Sequence, residues 1–232
     1  PAMGAMAADL GAASENRRQL VVGVFLVGVI RTFIQPEWIQ AIAGTKGLRD
    51  QVAEYVEAVA AFSGDDPTTI RPFIKLMEGI GANYGPPERD GAYYSGWKDF
   101  YKFFALEAFL IQTAALLRNE RWRTLRRLVD ATYIIRGSER EMTSARFVAF
   151  DEHLESLDHH RNRRLKLNRV SVSADLLKER CAAEKTSFAE LMEADLFLAL
   201  KSLVDVPSDS GGWISYWLPR TSIYASSGNK HP

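Results

Sequence analysis

The residues with the clearest chemical potential are basic side chains gathered in two clusters. The run His159 to Arg169 carries five fixed positive charges and no acid. A second group lies on a predicted helix, Glu120 to Asp130. The planar guanidinium of arginine suits phosphate, which makes both clusters candidates for nucleotide or RNA binding. The candidate residues are Arg123, Arg126, Arg127, Arg161, Arg163, Arg164 and Lys166.

A competing interpretation is that acids just upstream neutralise the first cluster. Asp151, Glu152, Glu155 and Asp158 precede it closely and could form ion pairs with it on a helical surface. We favour a face that is solvated or internally paired in this way over a phosphate site.

Aromatic residues form a third group. Tyr93, Tyr94 and Trp97 follow a stretch rich in glycine and proline, where aromatic side chains often line a pocket or a partner surface. A helix from about Trp97 to Arg118 comes next. Its stripe Tyr101, Phe104 and Ala108 predicts a core face.

The histidines give weaker signals. On a regular helix Glu152, Glu155 and His159 share one face, and His153 and His160 share another. Three such side chains could hold a metal ion, but the number and type of these ligands are not distinctive. We therefore interpret them as surface residues that form ion pairs, and we expect no metal site. The single cysteine, Cys181, can form no disulfide within the chain, so a reducing, cytoplasmic location is expected.

The segment Arg146 to His153 has an arginine and a histidine separated by six residues. This spacing resembles the motif of HEPN ribonucleases over eight residues. The resemblance implies an all-helical protein in which Arg146 and His153 cleave RNA at a dimer cleft. In such a site the histidine moves protons and the arginine stabilises charge on the phosphate.

Other catalytic motifs are absent from the sequence. It contains no Gly-Lys-Ser/Thr phosphate loop, no Gly-x-Gly-x-x-Gly, no His-Glu-x-x-His and no Gly-x-Ser-x-Gly. We therefore expect a non-catalytic protein without a cofactor.

Composition indicates a globular protein. Hydrophobic residues make up 47% and charged residues 25%, and 29 basic residues balance 29 acidic ones. The apolar run Leu20 to Ile30 is too short for a membrane span, which needs roughly 20 residues. We predict a fully buried helix there and no membrane contact. Such a helix is easier to bury against a second chain, so a homodimer is expected.

The pattern predicts a mainly α, bundle-like single domain with one or two short strands. Residues 1–8 are interpreted as a cloning scar, 9–206 as the helical domain with a break at 81–96, and 207–232 as a strand-like tail that packs onto the body. Helices are predicted at about 14–35, 37–43, 45–63, 66–80, 97–118, 120–130, 144–160, 173–183 and 187–203, and a strand at 131–136.

The leading functional hypothesis is a non-catalytic interaction or ligand-sensing module cut from a larger intracellular bacterial protein. Its expected partners are another domain of that protein or a second copy of itself. The alternative is an RNA- or nucleotide-binding domain that uses the arginine clusters, with HEPN-like cleavage as an extension.

Overall fold

The computed structural model describes residues 46–62, 68, 70–85, 98–137, 141–181, 185–205 and 216–225, all within one compact unit, Pro36–Pro232. Most of these residues are helical, which confirms the predicted mainly α class. The two helices predicted before residue 45, and most of the break at 81–96, lie outside the described residues. The helices are α1 (Lys46–Phe62), α2 (Ile70–Gly81), α3 (Asp99–Arg118), α4 (Trp122–Asp130), α5 (Val172–Cys181) and α6 (Phe188–Val204).

Helix α3 is the centre of the fold. The helices α1, α2 and α6 all pack against it. It is therefore buried on every side from Phe103 to Leu116, beyond the single face that its aromatic stripe predicts. Among the described residues it is the one helix long and apolar enough to cross a membrane. Because 83% of its most apolar window is covered by protein, it has the character of the core helix of a soluble domain.

Charged groups are buried beside this apolar helix. Glu107 of α3 accepts two hydrogen bonds from Arg180 of α5, at 2.7 Å from Nε and 2.8 Å from Nη2. The Nε atom of Arg49 in α1 lies 3.5 Å from the same carboxylate. A buried carboxylate needs such partners because desolvation without them costs several kcal/mol. Glu107 therefore joins three helices.

The predicted strand at 131–136 is confirmed as β1 (Tyr133–Arg136), which pairs antiparallel with β2 (Met142–Ala145). The hairpin lies against the end of α2. A Cβ atom on Gly81 would come within 2.5 Å of Ile135 Cγ2, so only glycine permits this approach.

The helix predicted at 144–160 is wrong. Ser144 belongs to β2, and a 3-10 turn follows at Phe147–Phe150. In a 3-10 turn, residues three apart are eclipsed. Both phenylalanines therefore reach the ring of Phe109, with centroids 6.2 and 5.3 Å away. The chain then winds as a π-helix, Ser156–Arg161, and continues into a short helical turn, Asn162–Arg164.

The described part of the tail, 216–225, packs onto the body as predicted, but it is not a strand. It contains a 3-10 helix, Arg220–Tyr224. Trp217 is only 2% exposed, and its Nε1 atom donates to Asp195 at 2.6 Å. Asp195 also accepts from the backbone and hydroxyl of Thr221, at 2.8 and 2.7 Å. A buried carboxylate on α6 therefore holds the tail.

The spacing of Phe188, Leu191, Met192, Leu196 and Leu200 predicts one buried stripe along α6, and the observed buried face differs from it. Leu191 is buried as expected, but Leu196 and Leu200 are 52% and 56% exposed. The face turned inward combines apolar side chains with Asp195 and Ser202, which bind the tail. Because the tail binds to Asp195 and Ser202, Leu196 and Leu200 lie on the outer face of α6.

The charge on Glu107 can be tested with an isosteric variant. Glu107→Gln keeps the shape of the side chain but removes the carboxylate from two buried guanidinium groups. We expect the free energy of unfolding to fall by about 3–5 kcal/mol in urea denaturation. As a control, Arg126→Ala removes an 83% exposed partner of Asp130 and should cost less than about 1 kcal/mol. A Glu107→Gln protein as stable as the parent would contradict this account.

Candidate phosphate-binding site

The first basic cluster forms a closed loop, residues 161–169, which we call the basic loop. It leaves the π-helix through the turn Asn162–Arg164. The amide of Asn162 then closes it, since Nδ2 donates to the carbonyl of Arg169 at 2.7 Å and Oδ1 accepts from its N–H at 3.1 Å. The alternation of residues 165–172 predicts a short strand or an extended loop, but the structure has a turn at Leu165 and Lys166 and then irregular chain up to the start of α5.

Asp158 fixes the loop to the start of α5. Its carboxylate accepts from the backbone N–H of Ser173 at 2.8 Å and from its hydroxyl at 2.9 Å. Ser171 donates to the same group at 3.3 Å. Asp158 therefore caps α5 from another element and leaves the loop little freedom at its base.

The backbone of the loop is strained at two positions. Lys166 and Asn168 have φ angles of 50° and 51°. Asparagine tolerates the left-handed region, but a lysine pays roughly 1 kcal/mol or more for it. Strain of this kind persists where the surrounding structure imposes it, often at functional sites.

Three cationic side chains extend from this fixed frame. Arg163, Arg164 and Lys166 are exposed, and they have no ion-pair partner among the described residues. Arg163 and Lys166 line a shallow cavity of about 380 Å³ together with His159, Asn162, Asn168 and Asp158. Two other cations of the loop differ, because Arg161 is half-buried and Arg169 pairs with Asp175 at 3.4 Å.

Among the described residues, none of the four upstream acids forms an ion pair with Arg163, Arg164 or Lys166. Glu152 pairs with Lys102 at 2.5 Å, and Glu155 lies 3.6 Å from His160. Asp151 and Asp158 both pair with Arg220, at 2.8 and 3.3 Å. Pairing with these four acids therefore does not account for Arg163, Arg164 and Lys166, and the choice between a solvated face and a phosphate site stays a prediction.

The second cluster contains several structural arginines. Arg118 pairs with Glu57 and with Glu190, so it joins α1 to α6. Arg121 donates to the carbonyls of Ala60 and Ala61, each at 2.9 Å, and thereby caps the end of α1. The three candidates lie on α4, where Arg126 pairs with Asp130 at 3.4 Å, Arg123 is exposed and Arg127 is half-buried.

The residues of the ribonuclease alternative do not share a helix. Arg146 immediately precedes the 3-10 turn, pairs with Asp205 and lies over the ring of Phe147 at 6.0 Å. His153 is exposed in the irregular stretch that follows this turn. The helical spacing on which the motif depends is therefore absent, and cleavage stays a prediction. Tyr93, Tyr94 and Trp97 lie outside the described residues, so their role as a pocket also stays a prediction.

Sequence reasoning missed the residues that build the loop. Ser171 immediately precedes α5 and Ser173 lies in its first turn, and serines at such positions are an ordinary capping signal. Their partner Asp158 is 13 and 15 residues away, and no local pattern indicates it. Asn162 gives no signal either, since its partner Arg169 is positioned by the left-handed turn.

Comparison of the chain with protein-family models, with curated proteins and with solved structures gave no match. Its function is therefore inferred from the geometry of the chain itself.

Asp151 gives the domain a testable pH dependence. Burial raises the pKa of Asp151 to about 6, although Arg220 and the N–H of Leu218 act in the opposite direction. The folded state therefore holds this proton more tightly than the unfolded chain does, and stability falls as the pH rises from about 4 to about 6. Two pH units correspond to about 3 kcal/mol. Asp151→Asn should make this slope shallower when unfolding by urea is measured across the range, and Asp99 and Asp195, whose pKa values burial also raises, account for the part that remains.

Asp130 supplies the control. Burial acts to raise the pKa of the Asp130 carboxyl too. Hydrogen bonds from Lys201 and Arg126 outweigh this effect and lower the pKa below its ordinary value. Asp130→Asn should therefore leave the slope between about pH 4 and about pH 6 unchanged. An equal slope in the parent and in Asp151→Asn would refute the assignment.

Proposed function

We propose that this domain is a non-catalytic binding module whose basic loop binds the phosphates of a nucleic-acid strand. The observation that carries the proposal is the display of Arg163, Arg164 and Lys166 on a fixed loop, where none of the acids just upstream forms an ion pair with them among the described residues. Cationic side chains that form no ion pair within the fold attract a polyanion, and their binding releases the counterions of that polyanion.

The fixed backbone strengthens this proposal. The hydrogen bonds of Asn162 and Asp158 hold both ends of the loop before any ligand arrives. A preorganised site loses less conformational entropy on binding than a flexible one. The left-handed Lys166 fits this interpretation, because its strain directs a cationic side chain at the tip of the loop.

The shape of the site favours a strand over a free nucleotide. Sites for small ligands are concave and bury most of the ligand surface. The cavity beside the loop is shallow, and Arg163, Arg164 and Lys166 are all exposed. Leu165 and Leu167, which alternate with the cations, are 49% and 37% exposed and offer apolar contacts to sugars and bases.

The cellular location of this module and its attachment to other domains are a further proposal. A bacterial cytoplasm and attachment to other domains remain predictions from the sequence. The HEPN-like alternative has less support than binding alone, because Arg146 pairs with Asp205 and shares no helix with His153.

Charge reversal tests the proposal. The double variant Arg163→Glu/Arg164→Glu should weaken binding to a labelled single-stranded RNA at least about tenfold in fluorescence anisotropy, because two attractive contacts become repulsive. For three phosphate contacts, the parent should show a log–log salt slope of about −2, and the variant a shallower one.

A matched control carries the same change in net charge at other sites. Arg71 and Lys75 are both exposed on α2, and the double variant Arg71→Glu/Lys75→Glu should retain most of the affinity. Equal losses in both double variants would show a nonspecific effect of net charge and would remove the loop from the proposal. No measurable binding by the parent would end the proposal itself.

We also propose that α6 mediates self-association. Ala189, Glu193, Leu196, Leu200 and Leu203 follow each other at steps of four and three residues, and all five are exposed. This is the spacing of the seam along which two helices pair. Val204, at the end of the seam, is 80% exposed.

A groove beside the seam makes a second copy a suitable occupant. Trp122 of α4, 57% exposed, and Phe197 of α6 line a cavity of about 350 Å³ that also includes Glu193 of the seam. In a two-fold pair, Leu200 would face its equivalent, and Leu196 would meet the apolar end of the opposite seam. The homodimer expected from the sequence would then use α6.

The seam is tested by its central residue. Leu200→Lys places a charge at the two-fold axis, so the parent should sediment as a dimer in analytical ultracentrifugation and the variant as a monomer. Met142→Lys alters an apolar side chain of similar exposure, 50%, on the hairpin, and should remain a dimer. A parent that stays monomeric at every concentration tested contradicts the proposal.

A further inference from the structure

One cluster beside the basic loop contains three groups that commonly bind metal ions. Glu155, His159 and His160 each offer one donor atom, and the three donors lie within 4.8 Å of one another. The Nε2 atom of His160 is 3.6 Å from Oε1 of Glu155. The two imidazole rings are stacked with their centroids 5.3 Å apart. We propose that these three residues bind a divalent transition-metal ion, and that zinc fits them best.

The π-helix creates this cluster. On a regular α-helix, residues four apart share a face, but the residue five positions on is turned away from it. A regular helix, as the sequence predicts here, therefore does not bring Glu155, His159 and His160 together. In a π-helix the hydrogen bonds join residues five apart, so this winding brings His160 back to Glu155. Ser156–Arg161 has that winding, and single π turns are frequent at functional sites.

The donor set matches zinc. Two imidazoles and one carboxylate are the protein ligands of several zinc sites, with water in the fourth position. Bond lengths of about 2.0–2.1 Å place two tetrahedral ligands roughly 3.3 Å apart. The observed 3.6 Å between His160 and Glu155 is already close to that edge. Both histidines are exposed, so a small rotation of the His159 ring can complete the site.

Some of the charges around the cluster oppose the binding of a cation, and others favour it. Arg163 and Lys166 share a cavity with His159 and raise the cost of placing a cation there. The carboxylates of Glu155 and Asp158 reduce that cost. Asp158 is already bound to Ser173 and Arg220, so it is not assigned as a ligand. The metal proposal is independent of nucleic-acid binding, because it uses none of the cationic side chains.

The test uses the purified protein after treatment with a chelator, in phosphate-free buffer. Isothermal titration with zinc should give one equivalent per chain, and cobalt should give the visible absorption of a tetrahedral site. His159→Ala/His160→Ala should lower zinc affinity by more than about tenfold, since losing even an outer-shell partner costs about 10–100-fold. Because both side chains are exposed, the variant should fold, which circular dichroism will verify.

Two comparisons make the result specific. His153→Ala removes an exposed histidine outside the cluster and should bind zinc like the parent. The variant Arg163→Glu/Arg164→Glu should bind zinc at least as well as the parent, whatever its affinity for RNA. The proposal is overturned if the parent binds no zinc, if the double histidine variant retains full affinity, or if His153→Ala loses as much affinity.

Discussion

Arg220 of the tail pairs with two carboxylates of the 147–164 segment, and the basic loop depends on that pairing. Asp151 has no exposed side-chain surface, and Asp158 is only 15% exposed, so each needs a positive or hydrogen-bonding partner. Arg220 contacts both, while the neighbouring residues Trp217 and Thr221 bind Asp195 of α6. Because the tail supplies the cation, the arginines of the loop are not required to neutralise these acids.

Periodicity predicts the elements that pack with one face against α3. The steps of three and four in α1 and α2 give the correct helices, with Val52, Val56, Phe73 and Met77 all fully buried. The prediction fails where a polar contact decides the orientation. Asp195 and Ser202 turn inward to hold the tail, so Leu196 and Leu200 lie on the outer face of α6. A hydrophobic pattern carries no information about a hydrogen bond to a segment some 20 residues away.

At the candidate site too, the sequence predicts the residue types but not the long-range contacts. The basic residues of 161–169 are visible in the sequence, and they indicate phosphate binding as a hypothesis. Whether the cations are available depends on the partners of four acids, and those partners include Lys102 and Arg220, about 50 and 60–70 residues away. The positive φ angle of Lys166 is equally hidden, because lysine has no preference for that region.

The π-helix connects the two proposed sites mechanically. It is held at its start by Asp99, whose carboxylate accepts from the N–H of Ser156 at 2.6 Å, and in its middle by the contacts of Asp158 with α5. The histidine cluster lies on this segment, and the basic loop begins at its last residue, Arg161. A tightening of the winding to a regular α-helix would rotate His160 away from Glu155 and would also turn the base of the loop at Asn162. Any ligand that stabilises the π winding therefore also stabilises the present orientation of the basic loop, so the two sites are expected to favour the same conformation.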